Sequence, residues 1–182
     1  MQARGELFGD RIVILDYREG RRIYEEGFYG KPLGVSKPKS TEEIKTPLEL
    51  SLIEGLYLLR KGKIAVRYKG NDVDERELED YAVKRIPRFR DLYRVYEDLK
   101  RRGFVVRSGI KFGADFAVYT LGPGVEHAPF VVSVVNADEE MNATELMSYG
   151  RVSHSTRKKL ILAIINSSSN EIKYIMFKWV KM

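Results

Sequence analysis

Apolar positions change their period along this chain. In the first third they come in short runs. Residues 11–15 (RIVIL) are mostly apolar, and Gly20 separates them from residues 21–24 (RRIY), which predicts a β-hairpin. Residues 28–34 carry turn formers, and 36–45 (SKPKSTEEIK) read as an exposed polar loop. Thr46-Pro47 then supplies a hydroxyl cap with proline at the first helical position. Leu48, Leu50, Leu52, Ile53, Leu56 and Leu59 follow at helical spacing until Gly62, and residues 64–66 return to a strand. Asn71 to Asp74 offer caps for a charged helix, ERELEDYAVKRI, which Pro87 stops. Leu92, Tyr93, Tyr96 and Leu99 mark a second amphipathic helix that ends at Gly103.

Beyond that glycine the text is strand-dominated. Residues 104–107, 116–119, 130–135 and 160–165 read as strands, and 143–158 as a helix. Asn166 to Asn170 turn the chain back into a last strand over 172–180. The change of pattern near residues 85–90 divides the chain into an N-terminal domain, 1–86, and a C-terminal domain, 87–182. The fold class is α+β, with a small N-terminal α/β domain followed by a mixed sheet flanked by helices.

Composition narrows the function. The chain has 182 residues and no cysteine, which excludes disulfides and thiolate metal sites. A hydrophobic share of 43% is enough to build a core. No apolar run approaches the ~20 residues of a membrane span. The first residues, MQARGELFGDR, lack the apolar core of a signal peptide, so a cytoplasmic protein is expected. A net charge of +6 is the balance of a protein that meets phosphate, or of one with many surface lysines. The charged share of 32% would suit a heat-adapted protein.

Candidate chemistry gathers in GADFAVYTLGPGVEHAPFVVSVV, residues 113–135. Tyr119 closes one strand, and His127, one of two histidines, stands just before the next. A closed loop between those strands brings both side chains to one sheet edge. A third station is GRVSHSTRKKL, residues 150–160, where Arg151, His154, Ser155 and Lys158 share a face if the helix continues. Each residue also has a plain structural explanation. Strand-end tyrosines pack, loop histidines are solvated, and lysines complement helix C-termini.

Three segments in chain order carry a resemblance: YEDLKRRGFVVRSGIKFGADFAVY, then GPGVEHAPFVVSVV, then SYGRVSHSTRKKLILAI. Over roughly residues 93 to 166 the chain resembles the catalytic domain of the tRNA-splicing endonucleases, archaeal type. LSLIEGLYLLRKGKIAVRY resembles the N-terminal half of the family less specifically. The resemblance implies a restriction-endonuclease-like C-terminal nuclease domain and an N-terminal domain that supports assembly and substrate. It implies metal-independent RNA cleavage, without a cofactor, at the bulge–helix–bulge elements of precursor tRNA. The products would be a 2′,3′-cyclic phosphate and a 5′-hydroxyl. Carried over by residue, the catalytic groups are Tyr119, His127 and Lys158, and a bulged base is clamped by Arg151 and Trp179. Trp179 also reads as an ordinary packing residue.

Those residue types suit the reaction. The substrate's own 2′-hydroxyl is the nucleophile, so a base must take its proton and an acid must protonate the leaving 5′ oxygen. A cation must meet the charge that builds on the phosphate oxygens. His127 suits the acid. Tyr119 as base needs a neighbouring ammonium such as Lys158 to favour the phenolate.

The resemblance further implies a homotetramer, or a heterotetramer with a structural paralogue. The acidic stretch Asp138-Glu139-Glu140 would dock into a neighbouring subunit, and the final strand would pair subunits. Two other readings stand beside it. One is a non-catalytic paralogue, which would be free to lose any of the three catalytic residues. The other is a metal-dependent DNA nuclease of related fold. It would draw on Asp115 and Glu126 but lacks a Glu-x-Lys on the strand that directly follows them, 130–135.

Overall fold

Strand β1 (Ala3–Phe8) and strand β2 (Arg11–Ile14) form an antiparallel hairpin that turns at Gly9, whose φ of 60° suits glycine. The computed structural model describes residues 2–35, 38 and 40–177. Among these the chain divides into two compact units, Met1–Arg90 and Asp91–Met182.

The first unit continues with α1 (Tyr17–Gly27), β3 (Lys31–Pro32), β4 (Leu48–Ser51) and α2 (Leu52–Arg60). It ends with β5 (Ile64–Tyr68), β6 (Asn71–Val73) and α3 (Glu75–Val83). The strands make one mixed sheet in the order β3-β4-β2-β1-β5-β6, with β1 and β5 parallel.

Two sequence expectations fail in this unit. Residues 21–24 lie in α1 and not in the second arm of a hairpin. Asp16 explains this, because its side chain accepts the Arg18 amide and caps the helix, placing Gly20, Ile23 and Tyr24 on the buried face. Residues 48–51 are a strand and not the first turn of a helix. Leu48 and Leu50 are buried while Glu49 and Ser51 are partly exposed, a period of two. The helix starts after Ser51, whose hydroxyl and the Glu54 carboxylate form a reciprocal capping box. Glu54 is itself buried and also accepts the Gly30 amide at 2.9 Å.

The second unit is built on α4 (Phe89–Arg101), which starts at the junction. Then come β7 (Val105–Ser108), a 3-10 turn (Ile110–Phe112), β8 (Phe116–Tyr119) and β9 (Phe130–Asn136). It closes with α5 (Ala143–Thr156), β10 (Lys159–Ile165) and β11 (Ile172–Phe177). The sheet runs β11-β10-β9-β8-β7. Strands β9 and β10 are parallel and joined through α5, whereas the other neighbours are antiparallel. Their near-continuous apolar text fits strands that are buried deeply: Val131, Val132, Leu160, Ala163 and Ile165 are inaccessible.

Helix α4 buries Leu92, Tyr93, Val95, Tyr96 and Leu99, and the Tyr96 ring lies 6.0 Å from that of Phe116. Its buried Asp98 accepts the Tyr174 hydroxyl of β11 at 2.7 Å and the Arg102 guanidinium at 2.8 Å. Burial alone would raise the Asp98 carboxyl, but the bonds from Tyr174, Arg102 and Arg101 outweigh it and hold the group below the usual carboxylate range.

The turn between β7 and β8 depends on a residue without a side chain. A Cβ on Gly109 would stand 2.6 Å from the Phe116 carbonyl carbon and 2.7 Å from its nitrogen. These are backbone atoms of the next strand and cannot swing aside. The close approach lets the Gly109 amide donate to the Asp115 carbonyl at 3.0 Å and its carbonyl accept the Phe112 amide at 2.8 Å. Gly109→Ala should therefore destabilise the protein by about 1–3 kcal/mol, the usual cost of overpacking. Chemical denaturation would measure it, and an unchanged midpoint would contradict this account of the turn.

Candidate active site

Strand directions bring three chain-distant positions to one edge of the second unit's sheet. Val118 of β8 pairs with Phe130 of β9, and Phe130 pairs with Lys159 of β10. Because β8 is antiparallel to β9 and β10 is parallel to it, the end of β8 and the starts of β9 and β10 lie level. Tyr119 is the last residue of β8, His127 precedes β9, and Lys158 immediately precedes β10.

Lys158 is not on α5, which the sequence reading extended through it. The helix ends at Thr156, and Arg157 adopts the left-handed conformation at φ 54°. Lys158 therefore does not share a helical face with Arg151 and His154. The buried Ser153 hydroxyl donates to the Lys158 carbonyl at 2.8 Å and fixes its backbone. The ammonium donates to the Ala128 carbonyl, one residue after His127, at 2.8 Å. It also lies 4.8 Å from the centre of the Phe112 ring. Partial burial, and then the charge of Lys111, hold the amine below the usual lysine range.

Phe112 links these positions. Its ring packs against the apolar cluster of Ala117, Tyr119 and Ala128, and also against the cluster of Ala114, Val131 and Leu160. Through Phe112 and Ala128, the structure joins Tyr119 to Lys158.

Tyr119 is 9% exposed. Burial is the first cause that pushes its phenol above the ordinary value, Arg107 pulls it down, and Glu126 pushes it up. The cation that acts on this phenol is thus Arg107 and not Lys158. Register explains it. Arg107 of β7 pairs with Ala117 and Val105 pairs with Tyr119, so Arg107 is a diagonal neighbour of Tyr119 on the same sheet face.

The loop from Thr120 to Pro129 is tied by Glu126. Its carboxylate accepts the backbone amides of Thr120, Leu121 and Gly122, the Leu121 bond being 2.6 Å, together with the Thr120 hydroxyl at 2.9 Å. The Leu121 amide is the first cause that holds this carboxyl below its ordinary range; burial opposes it, and the Thr120 and Gly122 donors add to it. Glycines at 122 and 124 supply the positive φ that the turn needs. His127 follows directly, with an exposed side chain.

Asp115 is committed too: its carboxylate accepts the Val134 amide of β9 at 2.7 Å. Both acids that a metal-dependent nuclease would have drawn on are therefore occupied by backbone donors.

The remaining sequence candidates fare differently. Arg151 lies on α5 with an exposed side chain, and among the described residues no hydrogen bond or ion pair joins it to Tyr119 or Lys158. Trp179 lies outside the described residues. Beside Lys158 is a groove of about 630 Å³ lined by Pro129, His154, Arg157, Lys159 and Phe177. Sequence reading missed Phe112, Arg107, Lys111 and the loop-tying role of Glu126. For Glu126 a signal was present, since a carboxylate two residues after a Gly-Pro-Gly turn stands where backbone amides converge.

Replacing Glu126 with alanine should release three amides, so that hydrogen exchange at Thr120, Leu121 and Gly122 accelerates while β9 amides keep their protection. Because the folded carboxyl titrates below its ordinary range, the ordering is complete at neutral pH. It is lost as pH falls through the depressed folded value. Exchange measured across that acid range checks both statements, and unchanged loop protection in the variant would refute them.

Residues 89–174 match the family model of the tRNA intron endonuclease catalytic C-terminal domain, and residues 3–79 match that of its N-terminal domain. The chain is 56% identical over 178 residues to a tRNA-splicing endonuclease of Sulfurisphaera tokodaii, covering 98% of this chain and 99% of that protein. It is 56% identical to one from Saccharolobus solfataricus and 58% identical to one from Saccharolobus islandicus, each over 177 residues and 97% of both chains. With matches to both domains and near-complete coverage of these relatives, the chain belongs to the tRNA intron endonuclease family, the enzymes of tRNA splicing.

Proposed function

We propose that this enzyme cuts precursor tRNA by internal transesterification, with Tyr119 as base, His127 as acid and Lys158 as the cation on the scissile phosphate. The observation that carries this reading is the Lys158 ammonium bonded to the Ala128 carbonyl, beside His127 and on the ring that packs against Tyr119. Tyr119 takes the proton of the 2′-hydroxyl, and the 2′ oxygen forms a bond to phosphorus. The phosphorus–5′-oxygen bond breaks, and His127 gives its proton to the departing oxygen. The products are a 2′,3′-cyclic phosphate and a 5′-hydroxyl. Lys158 meets the charge that accumulates on the non-bridging oxygens.

Every role that a metal would fill thus has a side chain assigned to it. Asp115 and Glu126, the acids nearest these groups in the chain, are held by amides. The substrate proposed is the bulge–helix–bulge element. Its unpaired bases can be splayed out, and Arg151 with Trp179 would grip one of them by stacking and cation–π contact. The basic groove beside Lys158 suits the phosphate backbone.

The assembly proposed is a tetramer, of one chain type or with a structural paralogue, in which the N-terminal unit supports assembly and substrate. Strand β11 is an edge of its sheet, and its consecutive residues Ile175 and Met176 are 49% and 53% exposed, so both faces present apolar surface. Asp138, Glu139 and Glu140 are exposed and form an acidic turn that would dock against a basic surface of a neighbouring subunit.

Incubation of the purified chain with a bulge–helix–bulge RNA tests the reading. Cleavage should persist in EDTA, leave cyclic phosphate ends, and fail when the cleavage-site nucleotide is 2′-deoxy. Activity that appears only when a paralogue is added would assign the heterotetramer. His127→Ala should retain RNA binding and lose about a hundred- to ten-thousand-fold in rate. Near-normal cleavage by that variant would remove the histidine from the mechanism.

A further inference from the structure

Two ammonium groups rest on one benzene ring. The Lys111 amine lies 4.7 Å from the centre of Phe112 and the Lys158 amine 4.8 Å from it. The negative face of the ring attracts each of them. They repel one another, and burial with the Lys111 charge disfavours the charged form of Lys158. The two carboxylates that stand near them in the chain are engaged by the backbone: Asp115 accepts the Val134 amide, and Glu126 the amides of its own loop.

Of the three donors on the Lys158 ammonium, the Ala128 carbonyl takes one among the described residues. The site therefore concentrates like charge and keeps donors to spare, which is the condition a phosphodiester relieves.

The backbone of the turn is tied by hydrogen bonds. Lys111 is the middle residue of the 3-10 turn, which is closed by the Phe112 amide on the Gly109 carbonyl at 2.8 Å and the Gly113 amide on the Ile110 carbonyl at 3.0 Å. Phe112 is wedged between two apolar clusters. Both amines thus stand against one ring that packs between two apolar clusters.

We infer that Lys111 is a second phosphate ligand of this site, holding the RNA backbone at the scissile linkage together with Lys158. The inference rests on the proposed reading of Lys158 and adds to it the residue that completes the anion site.

The test uses the full chain, in its active assembly, with a bulge–helix–bulge RNA that is 2′-deoxy at both cleavage positions, so that binding is read without turnover. Lys111→Gln should weaken binding about tenfold at about 0.1 M salt. It should also lower the slope of log affinity against log salt by about 0.7–0.9, the loss of one phosphate contact. On cleavable RNA its KM should rise by the same factor, and Lys111→Arg should restore binding and slope. A salt slope equal to that of the unsubstituted protein, in a Lys111→Gln variant with an unshifted melting temperature, overturns the inference. If the glutamine variant does not fold, Lys111→Ser replaces it with the same criteria. Lys158→Ala separates this from failure of the parent reading: unimpaired cleavage there discards the site, whereas lost cleavage with an unchanged Lys111→Gln slope discards Lys111 alone.

Discussion

The parallel ladder between β9 and β10 is the constraint on which the site depends. Phe130 stands opposite Lys159, and that register continues to Asn136 opposite Ile165. Both strands are apolar and largely buried, so a slip by one residue would turn Val131 and Leu160 away from the neighbours they pack against. It would also carry Lys158 about 3.3 Å along the strand. A shift of that size breaks the 2.8 Å bond to the Ala128 carbonyl and lifts the amine from the Phe112 ring. The apolar interior of the sheet thus sets the distance between groups at its polar edge. Core packing and active-site geometry are here one interaction seen at its two ends.

Charge is distributed by the same economy. Two acids of this unit turn towards the backbone: Asp115 accepts the Val134 amide of β9, and Glu126 closes the loop before His127. Each gains donors worth more to a carboxylate than a solvated lysine partner. The cations are left facing one another, as at Lys111 and Lys158. A surface prepared in this way carries its positive field without internal neutralisation, and a polyanion supplies the counter-charge.

How much of this was legible in the sequence follows from what each signal measures. Strands β8, β9 and β10 were read within a residue or two because their apolar runs report burial directly. Helix α1 was lost because Gly20 looked like a turn. In the structure its missing side chain admits close approach to Leu48, where an added Cβ would meet that residue's Cβ at 2.9 Å. Strand β4 was lost because Leu48, Leu50 and Leu52 satisfy periods of two and of four over so short a window. A resemblance points to Tyr119, His127 and Lys158, and the structure sets all three positions at strand ends on one edge of the sheet. Phe112 and Arg107 were not nameable. A ring that bridges two clusters, and an arginine diagonal to a tyrosine across a strand pair, are products of register that spacing along one segment does not encode.

The phenol is where the proposed chemistry is hardest. Tyrosine ionises ordinarily near 10, so at neutral pH roughly one molecule in a thousand holds a phenolate. Burial lowers that fraction here and Glu126 lowers it further, while Arg107 opposes them. An arriving phosphodiester adds negative charge and works in the same direction as Glu126. Prior ionisation of Tyr119 is therefore a poor account of how a 2′-hydroxyl would lose its proton. Transfer within the transition state is a better one, since the phosphorane charge that then builds is met by ammonium groups already in position. On this view the cations act less by preparing the base than by stabilising what its action produces. That explains why Lys158 can serve the reaction without being the charge that acts on Tyr119 in the free protein.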